Sequence, residues 1–117
     1  MTRPNRLIYE MQAEICSALG HPLRLEILDL LSDGEKNSSQ LLETLHIPKA
    51  NLSQHLSVLK DSGLIRSRRE SQFQYFEVAI PQIKDACEIV KRVLNEKMHG
   101  QEQIAAEVKR KLKSGQR

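Results

Sequence analysis

Ile47-Pro48-Lys49-Ala50-Asn51-Leu52-Ser53-Gln54-His55-Leu56-Ser57-Val58-Leu59-Lys60-Asp61-Ser62-Gly63-Leu64-Ile65-Arg66-Ser67-Arg68-Arg69 is the stretch that decides the fold. Pro48 suits the start of a helix, and Gly63 suits its end. Within it, Leu52, Leu56 and Leu59 fall at i, i+4, i+7 and predict a core-facing stripe. Ala50, Ser53, Gln54 and Ser57 repeat the same spacing on another face, which is short and polar. After Gly63, residues 64–69 and 73–78 read as two strands, the second rich in Phe73, Tyr75, Phe76 and Val78. The tip, Arg69-Glu70-Ser71-Gln72, lacks glycine, so a longer, flexible loop is expected there in place of a two-residue primed turn.

Upstream, Leu7, Ile8, Met11, Ile15, Ala18 and Leu19 recur at helical spacing and predict a first helix over 5–19. Gly20-His21 interrupts it, and Pro22 opens a second helix that Asp33-Gly34 closes. Asn37 and Gln40 have the spacing of a capping pair for a third helix, with Leu41, Leu42 and Leu45 inward. His46-Ile47 is then a short turn, so the third and fourth helices form a helix-turn-helix candidate. Beyond Pro81, Ile83, Cys87, Val90 and Leu94 form a helical stripe that resumes at Met98, Gln101, Ala105, Val108 and Leu112, with a break or bend expected at Gly100. The fold class is therefore mainly α with a small β-hairpin, with a domain over 5–98 and a helical extension and frayed tail over 99–117.

Charge is distributed unevenly. Residues 1–80 carry nine Lys and Arg against ten Asp and Glu, whereas residues 81–117 carry nine against five. Residues 49–69 hold Lys49, Lys60, Arg66, Arg68 and Arg69 against Asp61 alone, which is the local footprint of a phosphate-binding surface. No run of 18 apolar residues is present, which excludes a helical membrane span, and no apolar segment of a signal peptide follows the N-terminus, so a cytoplasmic protein is expected. No Gly-rich phosphate loop, His-Glu-x-x-His or Gly-x-Ser-x-Gly appears, so an enzyme is not expected.

A helix enters the major groove of DNA, and close approach requires short side chains. Gln54 suits an adenine edge, Ser53 donates or accepts, and Lys49 at the helix start suits a phosphate or guanine. Ala50, Asn51, His55, Ser57 and Lys60 complete the helical candidates, with phosphate contact or packing expected of His55. On the hairpin, alternation puts Arg66 and Arg68 on one face, while Arg68, Arg69 and Gln72 near the tip are candidates for phosphates or the minor groove. The expected partner is double-stranded DNA. The alternative is a winged helix that docks proteins, but such a helix shows exposed apolar anchors more often than this polar face.

Ala18-Leu19-Gly20-His21-Pro22-Leu23-Arg24-Leu25-Glu26-Ile27-Leu28, residues 51–65, Arg68-Arg69-Glu70 and Tyr75-Phe76 together resemble the ArsR/SmtB family of bacterial winged-helix repressors over about residues 7–95. The resemblance implies a homodimer built on the first and last helices, a palindromic operator, the fourth helix in the major groove and the hairpin as wing. Members are typically released by a metal, a metalloid or thiol oxidation; here the inducer is unknown. Asn37-Ser38-Ser39 stands where the family's Cys-x-Cys site lies, and Ile80, Gln82, Val93 and Glu96 replace its other ligand set, so no metal and no cofactor is expected. Pro48 also replaces the usual capping Ser, and the wing lacks the usual tip Gly.

Cys16 and Cys87 are too few for a tetrahedral thiolate site or a secreted disulfide framework. Packing is the ordinary role of a cysteine. The alternatives are redox sensing or metalloid capture, if the first and last helices bring the thiols together. The dual-thiol sensors of the family carry their first cysteine on the second helix, where this chain has Asp29. His21 is expected to cap or pack, and His46 and His99 share no ligand spacing with it.

Overall fold

The computed structural model describes residues 4–115, and the last two positions of the expected tail, Gln116 and Arg117, lie outside them. In chain order the elements are α1 (Pro4–Leu19), α2 (Pro22–Leu31), β1 (Lys36–Asn37), α3 (Ser38–Leu45), α4 (Lys49–Asp61), β2 (Ile65–Glu70), β3 (Phe73–Val78) and α5 (Gln82–Gly115). The chain divides into two units, Met1–Lys84 and Asp85–Arg117.

In the first unit, α2, α3 and α4 converge on one core with the sheet. Ile27, Leu41, Leu52, Leu59, Leu64 and Ile65 are its fully buried large side chains, and Leu56 and Phe76 close it. Each helix end has a chemical reason. Pro22 occupies the first turn of α2, and His21 Nδ1 accepts from the Leu23 N–H at 3.1 Å. Asn37 and Gln40 form a reciprocal capping box at the start of α3. His46 ends α3 in the left-handed region (φ 52°), and the chain re-enters a helix at Lys49 with Pro48 as the capping residue. At the end of α4, Gly63 has φ 81°; its N–H bonds Lys60 O at 3.0 Å and the Leu64 N–H bonds Leu59 O at 3.1 Å. This is a Schellman motif, and the fully buried Leu59 and Leu64 supply its hydrophobic contact.

The sheet differs from expectation in two respects. It has three antiparallel strands in the order β1-β3-β2, because Lys36 and Asn37 pair with Phe76 and Tyr75. The hairpin tip is not long: Glu70 pairs with Phe73, which leaves only Ser71 and Gln72 in the loop. Ser71 adopts φ 58°, the positive value that a II′ turn demands at its first central residue, without a glycine to supply it.

In the second unit, α5 continues through Gly100 to Gly115, so the expected break at that residue does not occur, and Lys113 is helical. One glycine costs a helix only about 1 kcal/mol, too little to interrupt 34 residues. Ile89, Val90, Val93, Leu94, Met98, Ile104, Val108 and Leu112 are exposed along it. In the first unit, Leu7, Ile8, Met11 and Ile15 of α1 are likewise exposed, whereas Ala18 near its end is buried. No helix among the described residues is long and apolar enough to cross a membrane.

Candidate nucleic-acid interface

The spacing of α4 sorts its residues as the leucines require. Leu52, Leu56 and Leu59 are buried, while Lys49, Ala50, Asn51, Ser53, Gln54, Ser57 and Lys60 are exposed. Lys49, Ser53, Ser57 and Lys60 line a cleft of about 330 Å³ whose other wall is Ser38 of α3 and Gln74 and Phe76 of β3. Ser38 and Gln74 carry no signal in the sequence; the placement of α3 and β3 beside α4 brings them to the cleft. Two ammonium groups and the hydroxyls of three serines along one cleft are donors suited to anionic oxygens.

His55 is on a different flank and is half-buried. Its ring lies 4.4 Å from that of His21, and Arg24 Nη1 lies 3.4 Å from its Nδ1. Arginine has only donors, so a hydrogen bond there requires the His55 Nδ1 to accept. Burial holds the His55 pKa below the usual histidine range, and the neighbouring His21 and Arg24 act in the same direction. Arg24 also donates to the carbonyls of Ala18 (2.6 Å) and Ser17 (3.2 Å), tying the end of α1 to α4. These contacts pack His55 against the start of α2.

The hairpin arginines separate into two groups. Register puts Arg66 opposite Glu77, Arg68 opposite Tyr75 and Glu70 opposite Phe73 on one face. Arg69 pairs with Gln74, and Ser67 with Phe76, on the face that packs on the core and opens into the α4 cleft. Arg66 Nε donates to Glu77 at 2.7 Å. Arg68 holds Glu35 through both carboxylate oxygens, donates to Glu70 at 2.7 Å, and lies 4.8 Å from the Tyr75 ring centre. The exposed Arg69 side chain has no such partner among the described residues. Gln72 is exposed in the tip. Cys16 is exposed on α1, so packing inside its own unit is not its role, and Cys87 is half-buried on α5 in the other unit. Among the described residues no group of three His, Cys, Asp or Glu side chains is placed to hold a metal ion.

The family model described as "Bacterial regulatory protein, arsR family" matches residues 21–67, the part of the chain that builds α2 to the start of the wing. The transcriptional regulator Rv0081 of Mycobacterium tuberculosis is 32% identical over 88 residues, covering 74% of this chain and 77% of that protein. The chain belongs to the arsR family of bacterial regulatory proteins. A second relative, the transcriptional repressor SdpR of Bacillus subtilis, is 30% identical over 81 residues, 69% of this chain and 90% of its own. The crystal structure of Rv0081 superposes with a TM-score of 0.75 at 29% identity, covering 86% of this chain and 98% of that one. The homodimeric winged helix-turn-helix DNA-binding domain Mb0332 of Mycobacterium bovis gives 0.74 at 28% identity, covering 82% and 89%. The arsR fold thus makes α3 and α4 the helix-turn-helix and β2–β3 the wing of a DNA-binding transcriptional regulator.

Proposed function

We propose that this protein is a homodimeric repressor that reads a palindromic operator, with α4 in the major groove and the wing along the backbone or minor groove. One observation carries the reading: the exposed face of α4 bears Ala50, Ser53, Gln54 and Ser57, none held by a hydrogen bond among the described residues, beside Lys49 and Lys60. Side chains free of internal partners are available to base edges, and the flanking lysines suit phosphates. The large apolar side chains that a protein-docking surface needs lie on α1 and α5, not on this face. The homodimeric Mb0332 supports the dimer.

Binding-site selection on the Ser53→Ala/Gln54→Ala variant tests the reading. Discrimination between operator and random DNA should fall by about 1–3 kcal/mol for the lost amide-to-base pair, while affinity for random DNA stays within about twofold. A selected sequence identical to that of the unmodified protein overturns the placement of α4.

A further inference from the structure

Five basic residues between 49 and 69 look alike in the sequence, but three of them are hairpin arginines with different surroundings. The face of the sheet that carries Arg66 and Arg68 also carries Glu35, Glu70 and Glu77, each engaged by one of those two guanidinium groups. Three carboxylates against two cations leave that face net negative, which is unfavourable for a phosphate backbone. Arg69 projects from the opposite face, beside Gln74 and the lysine-lined cleft.

The Arg68 contacts also cross the sheet. Arg68 is on β2 and Glu35 immediately precedes β1, at the other edge, so the side chain spans β3 with its guanidinium over the Tyr75 ring. A planar fork meeting both oxygens of one carboxylate fixes direction as well as distance, and stacking on an aromatic face restricts it further. Two residues beyond Glu35, Asn37 caps α3, the first helix of the helix-turn-helix. The strap therefore joins the wing to the start of that helix.

We propose that Glu35 and Arg68 are positioning residues for DNA binding: their pair fixes the wing against the helix-turn-helix so that Arg69, and not Arg68, meets the phosphate backbone. The proposal rests on the DNA-binding reading above. Glu35 is the unforeseen member, since a carboxylate in a turn 33 positions from its partner carries no pattern in the sequence.

Salt titration of DNA affinity, with amide exchange of the free protein as a second arm, tests it on full-length Arg69→Gln, Arg68→Gln, Arg68→Lys and Glu35→Gln variants. Loss of one phosphate contact lowers the slope of log affinity against log salt by about 0.9. Arg69→Gln should show that drop. Arg68→Gln, Arg68→Lys and Glu35→Gln should each keep the slope and lose about two- to fivefold in affinity, with the Glu35→Gln/Arg68→Gln double variant no worse than either single one. Lysine should not rescue, because it keeps the charge and lacks the fork. In free protein, amides of residues 70–75 should exchange faster in the Glu35 and Arg68 variants and not in Arg69→Gln. A slope drop in Arg68→Gln with rescue by Arg68→Lys overturns the proposal, as does unchanged exchange in Glu35→Gln. If the unmodified protein fails to bind any DNA, the DNA-binding reading falls, and the exchange arm still decides whether Glu35 and Arg68 hold the wing.

Discussion

His55 shows how one residue can sit on α4 without belonging to its exposed polar face. It is next to Gln54 in sequence, yet 100° of helical rotation turns it toward His21 and Arg24. A neutral ring is required there, because burial and two basic neighbours all oppose a second proton. The folded-state pKa is therefore below the unfolded value of about 6.5. Below about pH 6.5 the unfolded chain takes up a proton that the folded chain refuses, so stability is complete above that pH and is lost as pH falls toward the folded pKa. Thermal melts between pH 7.5 and 5 should show the midpoint falling on acidification, and falling less in His55→Gln. Parallel pH profiles for the two proteins would refute this. The capping role of His21 was legible in Gly20-His21-Pro22. The contact between His21 and His55 was not, because 34 positions separate them and neither residue type announces a partner.

At the scale of elements, the helices were readable because their stripes and stops are local. The i, i+4, i+7 leucines of α4, Gly63 at its end and the Asn37–Gln40 box each act within a few residues. Sheet elements depend on distant partners, and there the reading fell short. β1 is only two residues long, too short for any alternation, and exists because β3 offers it an edge. The wing tip was expected to be loose for want of glycine, whereas pairing as far as Glu70 and Phe73 tightens it onto Ser71. A non-glycine residue in the left-handed region costs about 1–2 kcal/mol. Ser71→Gly should remove most of that and lose part to unfolded-chain entropy, for a net gain of about 0.5 kcal/mol. Ser71→Val should lose more than about 1 kcal/mol, since a β-branched side chain is least tolerant of positive φ. Urea midpoints of the two variants check both signs, and a destabilised glycine variant would show that the tip is not held as described.

For the whole molecule, the apolar faces of α1 and α5 are larger than a monomer needs and lie on both units. An apolar stripe left in water on each of two helices is the pattern of a chain completed by association. Val93→Glu with Leu94→Glu should shift sedimentation to the monomer, and affinity for a two-half-site operator should fall by on the order of a hundredfold as the linked second contact is lost. A dimer of unchanged strength would remove α5 from the interface.

Under the proposed function, folding and reading occupy opposite sides of α4, and this has a consequence for descent. Leu52, Leu56 and Leu59 hold the helix down, while the side chains of Ala50, Ser53, Gln54 and Ser57 contribute no hydrogen bond among the described residues. Exchanges on that outer side are close to neutral for stability, within about 0.5 kcal/mol. On the proposed reading, a lineage carrying this scaffold is thus free to change its target sequence by drift at four positions, without first acquiring a compensating change in the core.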